Sequence, residues 1–96
     1  METIFLVIQE SNVDGQILIN ITPCKDLKTA RFIKDKEINT LLNESPKYKG
    51  LDLDKVERND DDDGDFSLER DDDSFFLNCL YDDYYEKIDI IEKQIV

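Results

Sequence analysis

The run TIFLVIQESNVDGQILINIT, residues Thr3 to Thr22, decides how this chain folds. From Thr3 to Gln9 the apolar residues alternate: Ile4, Leu6 and Ile8 on one face, Phe5 and Val7 on the other. That period of two reads as a strand, apolar on both faces. Ser11-Asn12-Val13-Asp14-Gly15 reads as a turn, because Asp-Gly between two β-rich runs is a strong hairpin signal and Gly takes positive φ without a Cβ clash. Gln16 to Thr22 is the returning strand, expected with Ile17, Ile19 and Ile21 inward and Leu18, Asn20 and Thr22 outward. Pro23 has no N–H to give to a ladder and is expected to end it.

Beyond the hairpin the period changes. Asp26 is a suitable N-cap for a helix running to about Glu44. At roughly 100° per residue, Leu27, Ala30, Ile33, Ile38, Leu41 and Leu42 fall in one half of that helix. Lys34 projects into the middle of the same half, where its stem is expected to snorkel to the edge. Phe32 projects to the opposite, polar side, which makes it a candidate partner contact. Ser45-Pro46 stops the helix, and Pro46 to Gly50 is a loop.

The remaining chain reads as short strands and acidic turns. Leu51 to Glu57 is expected as a short strand, Asn59 to Asp65 as an acidic loop around Gly64, and Phe66 to Arg70 as a weak strand. Asp71-Asp72-Asp73-Ser74 is a turn, and Ser74 to Leu80 is a strong strand with Phe75, Leu77 and Cys79 on one face. Tyr81 to Tyr85 is a turn. In the tail, Tyr84, Ile88, Ile91 and Ile95 have helical spacing, but the density of Ile and Val favours a strand. The expected architecture is α+β: an N-terminal hairpin, one helix, then two or three further antiparallel strands in one sheet with the helix on one face. At 96 residues a single small domain is expected over 1–96, with a mobile acidic loop at about 58–65.

Charge divides the chain at its middle. Residues 1–50 carry seven acids and seven bases, whereas residues 51–96 carry seventeen acids and five bases, so the whole net charge of −12 lies in the second half. Asn59 to Asp73 alone holds nine acids against one base, Arg70. Like charges at this density repel and cost stability in a compact state unless an ion, a basic partner or solvent offsets them. A sequence pI near 4.2 argues against direct nucleic-acid binding and against anionic membrane surfaces. The chain has no apolar run of about 18 residues for a membrane span, and its first residues lack the basic region of a signal peptide, so a cytoplasmic location is expected. Cys24 and Cys79 share no CxxC spacing, and with no histidine present they read as two buried thiols.

Three constellations bear on function. Aligning Gly64 to the sixth position of an EF-hand loop puts Asn59, Asp61 and Asp63 at the first, third and fifth and Phe66 at the eighth. The twelfth is then Arg70, a cation where the closing carboxylate belongs, so no tight metal site is expected and no cofactor is implied. Carboxylates in a run lack the split environments of an acid–base pair, and no histidine or nucleophile motif accompanies them, so the chain reads as non-enzymatic. The third constellation mixes acids with aromatics: Asp60, Asp61, Asp62, Asp63, Asp65, Asp71, Asp72 and Asp73, then Phe76, then Tyr81, Asp82, Asp83, Tyr84 and Tyr85. Acids of this kind stand in for phosphates against Arg and Lys, and the rings supply contact area.

The layout is an Asp-Gly hairpin, one helix, and an acidic sheet segment ending YDDYYEKIDIIEKQIV (residues 81–96). It resembles small acidic proteins of phages and mobile elements in size, charge and order of elements. Among those are the anti-CRISPR and anti-restriction proteins, which inhibit nucleic-acid enzymes by mimicking phosphate charge. The resemblance implies an inhibitor whose acidic face occupies the basic groove of a CRISPR effector or another nucleic-acid-binding enzyme, acting as a monomer or small homo-oligomer. A cation-binding module through Asn59–Asp65 and an antitoxin-like protein that neutralises a basic partner are the alternatives.

Overall fold

The computed structural model describes residues 2–58 and 65–95. Five antiparallel strands form one sheet in the order β2-β1-β5-β4-β3: β1 Glu2–Val13, β2 Gln16–Cys24, β3 Phe66–Arg70, β4 Ser74–Cys79 and β5 Tyr84–Ile95. Helix α1, Leu27–Glu44, and the short α2, Leu53–Glu57, complete the α+β fold. The tail is a strand, as its Ile and Val density indicates. It pairs with β1 over its whole length, from Glu2↔Ile95 to Val13↔Tyr84.

The hairpin is longer and tighter than the sequence suggests. β1 continues through Ser11 and Asn12, leaving only Asp14 and Gly15 as the turn, at φ 54° and 87°. Two consecutive positive φ values make the turn whose twist matches the flanking strands. The Asn12 side-chain oxygen accepts a bond from the Gly15 N–H at 2.9 Å. In such a hairpin the residues flanking the turn, Val13 and Gln16, exchange backbone hydrogen bonds, so along β2 the outward-directed backbone belongs to Ile17, Ile19, Ile21 and Pro23. Pro23 therefore does not end the strand. It sits inside β2 opposite Leu6, at a position that directs its nitrogen away from β1, where no N–H is missed.

Register assigns the faces. Phe5, Val7, Cys24, Ile88, Ile90, Phe75, Leu77, Leu68 and Phe66 share the face on which α1, α2 and Tyr48 pack. Phe75 and Leu77 are 0 % exposed. Ala30 is the buried apolar residue of α1, with Ile33, Ile38, Leu41 and Leu42 packed half-buried against the core. The stretch expected as a strand at Leu51–Glu57 is instead α2, capped by the Asp52 side chain, which accepts from the Asp54 and Lys55 N–H groups. Helical geometry sends Leu53 and Val56, three apart, into the core together, whereas a strand would have split the pair between two faces.

Among the described residues no helix packs on the opposite face of the sheet. Ile17, Ile19 and Ile21 are on it with Ile4, Leu6, Ile8 and Ile91, so the expectation that the β2 isoleucines point inward is overturned. Ile19 is 62 % exposed. The hairpin's apolar alternation was correct, but the face the helix would choose was not encoded in it. Of the expected turns, Asp71–Asp73 lies between β3 and β4, while Tyr84 and Tyr85 belong to β5 rather than to the turn before it. Of the acidic loop expected to be mobile at about 58–65, residues 59–64 lie outside the described residues. Among the described residues no helix is long and apolar enough to cross a membrane.

Lys34 does not snorkel to water. It is 6 % exposed and its Nζ donates to the Asp71 carbonyl at 3.2 Å, tying α1 to the β3–β4 turn. Lys34→Ala is expected to lower stability by about 2 kcal/mol, the range of a hydrogen bond from a charged group. The loss will show as a lower urea midpoint at unchanged slope. Lys34→Met, which keeps the stem, will recover part of it.

Candidate partner-binding surface

The acids and rings that the sequence groups together are distributed over four places. The first is the β3–β4 turn. The Asp71 side chain accepts from the Asp73 N–H at 2.8 Å, and this bond is the first cause holding its carboxyl below the ordinary range. Asp73 accepts from Arg31 Nε at 2.8 Å. Asp71 and Asp73 thus shape and anchor the turn, and Asp72 is exposed and adds its charge beside Arg31.

The second place is the β4–β5 turn, at the other end of a six-residue strand, or about 20 Å away. Tyr81 is 74 % exposed there, beside Asp82 and Asp83. Asp65 joins them through its carbonyl, which accepts from the Leu80 N–H at 2.8 Å. The Asp83 carbonyl accepts from Gly15 N–H at 3.3 Å, bringing the hairpin tip to the same end. Asp82 binds Lys47 Nζ at 2.5 Å, and that ammonium also lies 4.6 Å from the centre of the Tyr84 ring. The hydrogen bond to Asp82 raises the Lys47 pKa.

The third place is the open face of the sheet. Phe76 and Tyr85, on neighbouring strands, stack with centroids 5.7 Å apart and an angle of 26°. The Tyr85 hydroxyl donates to Glu10. The fourth is the outer side of α1, where Phe32 is 68 % exposed beside Asp35, Lys36 and Asn39, as its helical projection required. Asp60, Asp61, Asp62 and Asp63 lie outside the described residues, as do Asn59 and Gly64 of the candidate cation loop. Arg70 is engaged by α2: its Nε donates to Glu57 at 3.0 Å and its Nη2 to Asp54 at 2.6 Å. Among the described residues no group of three or more carboxylates or thiols is placed to hold a metal. Cys24 and Cys79 are free and buried, and burial, with Asp26 nearby, pushes the Cys24 thiol up.

One site escaped sequence reasoning. A cavity of about 420 Å³ is lined by Val13, Ser45, Pro46, Lys47, Tyr48, Tyr84 and Glu86. Glu86 is 6 % exposed and accepts from the Ser11 hydroxyl. The buried Tyr48 hydroxyl has no hydrogen-bond partner among the described residues. Burial first, and the Glu86 charge second, push the Tyr48 pKa up. The signal for Glu86 was present: once the tail is a strand, Glu86 must share the face of Tyr84 and Ile88. Comparison of the chain with models of known protein families, with curated sequences and with solved structures finds no match.

Burial raises the Glu86 carboxyl above the ordinary range. A carboxyl raised on folding stabilises the fold while protonated. That contribution is complete below the pKa of the unfolded chain and is lost as pH rises through the folded value. Glu86→Gln, fixed in the neutral form, is therefore expected to gain stability over the native chain on going from about pH 4 to about pH 7. Thermal unfolding of both chains across that range checks it. A constant difference would show that Glu86 does not titrate differently in the fold.

Proposed function

We propose that this protein is a non-enzymatic inhibitor that presents the β3–β4 end of its sheet to the basic groove of a nucleic-acid-handling enzyme, in the manner of anti-CRISPR proteins. The observation that carries the reading is the separation of charge by sheet order. β2, at one edge, contains no charged residue, while the acidic turns at Asp71–Asp73 and Tyr81–Asp83 bracket β4 near the other edge. The two turns are about 20 Å apart, the length of about six nucleotides at 3.4 Å per step, with Glu69 between them on β3. Acids held at such intervals meet Arg and Lys that otherwise hold a phosphate backbone. Tyr81 supplies an exposed ring beside one cluster, where a base would stack.

Asp72, Glu69 and Asp83 are exposed and take no part in the side-chain hydrogen bonds and ion pairs that anchor Asp71, Asp73 and Asp82. They are the acids to reverse without disturbing the fold. Against a panel of purified CRISPR effectors and restriction enzymes, replacing all three by Lys is expected to slow association with the target by about tenfold or more at low salt. Reversing Asp35, Glu37 and Glu44 on α1 will change it little. Association by the native chain will also slow as salt rises from about 50 mM to about 500 mM, a range that brackets the roughly 8 Å screening length of physiological solution. Equal losses in the two triple variants, or indifference to salt, would refute the reading.

A further inference from the structure

We propose that β2 is the pairing edge of a symmetric dimer, in which β2 of a second copy of this chain adds antiparallel to it and joins two five-stranded sheets into one. The edge is unguarded from Gln16 to Thr22, and Pro23, whose nitrogen also faces outward, guards only its end. Natural edge strands carry charges, prolines or bulges that block addition of another strand. From Gln16 to Thr22 β2 has none of these, and its only proline lies at Pro23, beyond the stretch that would pair. Ile17, Ile19 and Ile21 on one face and Leu18 on the other are all more than half exposed. Side chains of this kind, exposed on both faces of one strand, are covered together only by something that continues the sheet.

The occupant follows from symmetry and charge. The outward backbone groups of β2 belong to Ile17, Ile19 and Ile21, as the two-residue turn requires. A two-fold axis at Ile19 sets that residue against its own copy and Ile17 against Ile21 of the second copy. Each of these three pairs then exchanges reciprocal backbone hydrogen bonds. The isoleucine stripe thus matches itself across the axis, continuing the apolar surface of Leu6, Ile8 and Ile91 on the same face. Continued to the turn, the same register sets Asp14 of one copy opposite Cys24 of the other, the residue before Lys25, so an acid of one copy and a base of the other come within one residue in register at each end of the junction. The described acids beyond residue 50 lie on α2, β3 and β5 and on the residues flanking these elements and β4, on the other side of β1 from β2, so two copies joined at β2 hold these like charges apart. An isologous contact of this kind closes on itself as a dimer.

The position of Ile19 on the axis gives the test. In sedimentation equilibrium the native chain is expected to show twice its chain mass. Ile19→Lys and Ile19→Glu, each placing like charges face to face, will each raise the dimer dissociation constant by at least tenfold, with circular dichroism unchanged because the site is exposed. An equimolar mixture of the two variants will recover the dimer. Ile17→Lys will be rescued by Ile21→Glu and not by Ile17→Glu. A native chain that is monomeric up to about 100 μM, far above the dissociation constants of standard-size interfaces, would overturn the proposal. So would a dimer that survives Ile19→Lys, or a Lys and Glu mixture that stays monomeric. The last two outcomes would place the contact elsewhere, such as face to face between the open sheets.

Discussion

The pairing of β1 with β5 is the contact on which everything else rests. It joins the two ends of the chain in one antiparallel ladder of twelve residue pairs, from Glu2↔Ile95 to Val13↔Tyr84. Each end brings its own hairpin: β2 follows β1 through Asp14-Gly15, and β4 precedes β5 through the Tyr81–Asp83 turn. Without the central ladder there are the hairpin β1–β2, which alone is marginal in water, and a separate three-stranded piece β3–β4–β5. The ladder also sets which residues meet the helix. Because side chains alternate, a slip of one residue would take Val7 off the core face and put Leu6 or Ile8 there. Val7, Ile88, Phe75 and Leu77 lie on one face only in the observed register.

That dependence has a kinetic side. The ladder closes a loop of nearly the whole chain, and the entropy of closure must be met before the contact returns anything. The local hairpins and α1 form from nearby residues, with Asp26 and the Asp14-Gly15 turn supplying specific caps and φ values. The acidic half joins the neutral half through a hydrogen bond from buried Lys34 to the Asp71 carbonyl and through two ion pairs, Arg31 with Asp73 and Lys47 with Asp82. Exposed pairs of this kind contribute little each. Their effect is to hold the two acidic turns against the basic residues of α1 and the segment after it, which relieves part of the self-repulsion of residues 51–96.

The sheet is covered on one face and bare on the other. α1, α2 and Tyr48 share the covered face, and no described element crosses the side bearing Ile4, Leu6, Ile8, Ile17, Ile19 and Ile21. An antiparallel sheet commonly leaves one face to water, but that face is then polar. Here its apolar residues are concentrated on β1 and β2, with Glu10 set among them opposite Ile19, and the acidic Asp71–Asp73 turn lies across the sheet from them. The molecule thus has an acidic end and an uncharged edge, which bear on different partners.

Much of this was legible in the sequence. Period-two alternation identified β1, β2 and β4, Asp-Gly identified the turn, Asp26 and Ser45-Pro46 bounded α1, and the helical projection placed Phe32 outside and Lys34 within. All of these are local, set by dihedral preferences and side-chain period along a few residues. Local pattern did not settle α2, where a capped turn of helix puts Leu53 and Val56 on one side while Leu51-Asp52-Leu53-Asp54 at its start alternates like a strand. Nor did it show that Pro23 is harmless in β2, which depends on β2 being an edge strand. Two features belonged to the tertiary structure alone. A strand that is apolar on both faces does not say which face a helix will cover, and packing α1 on the side of Phe5 and Val7 left the β2 isoleucines outside. Charge read along the chain merged Asp71–Asp73 with Tyr81–Tyr85 into one surface, whereas β4 runs straight between them and holds them at opposite ends. Sequence determines what each segment prefers to be; which faces meet, and how far apart neighbours in sequence come to lie, is decided by the long-range register of β1 on β5.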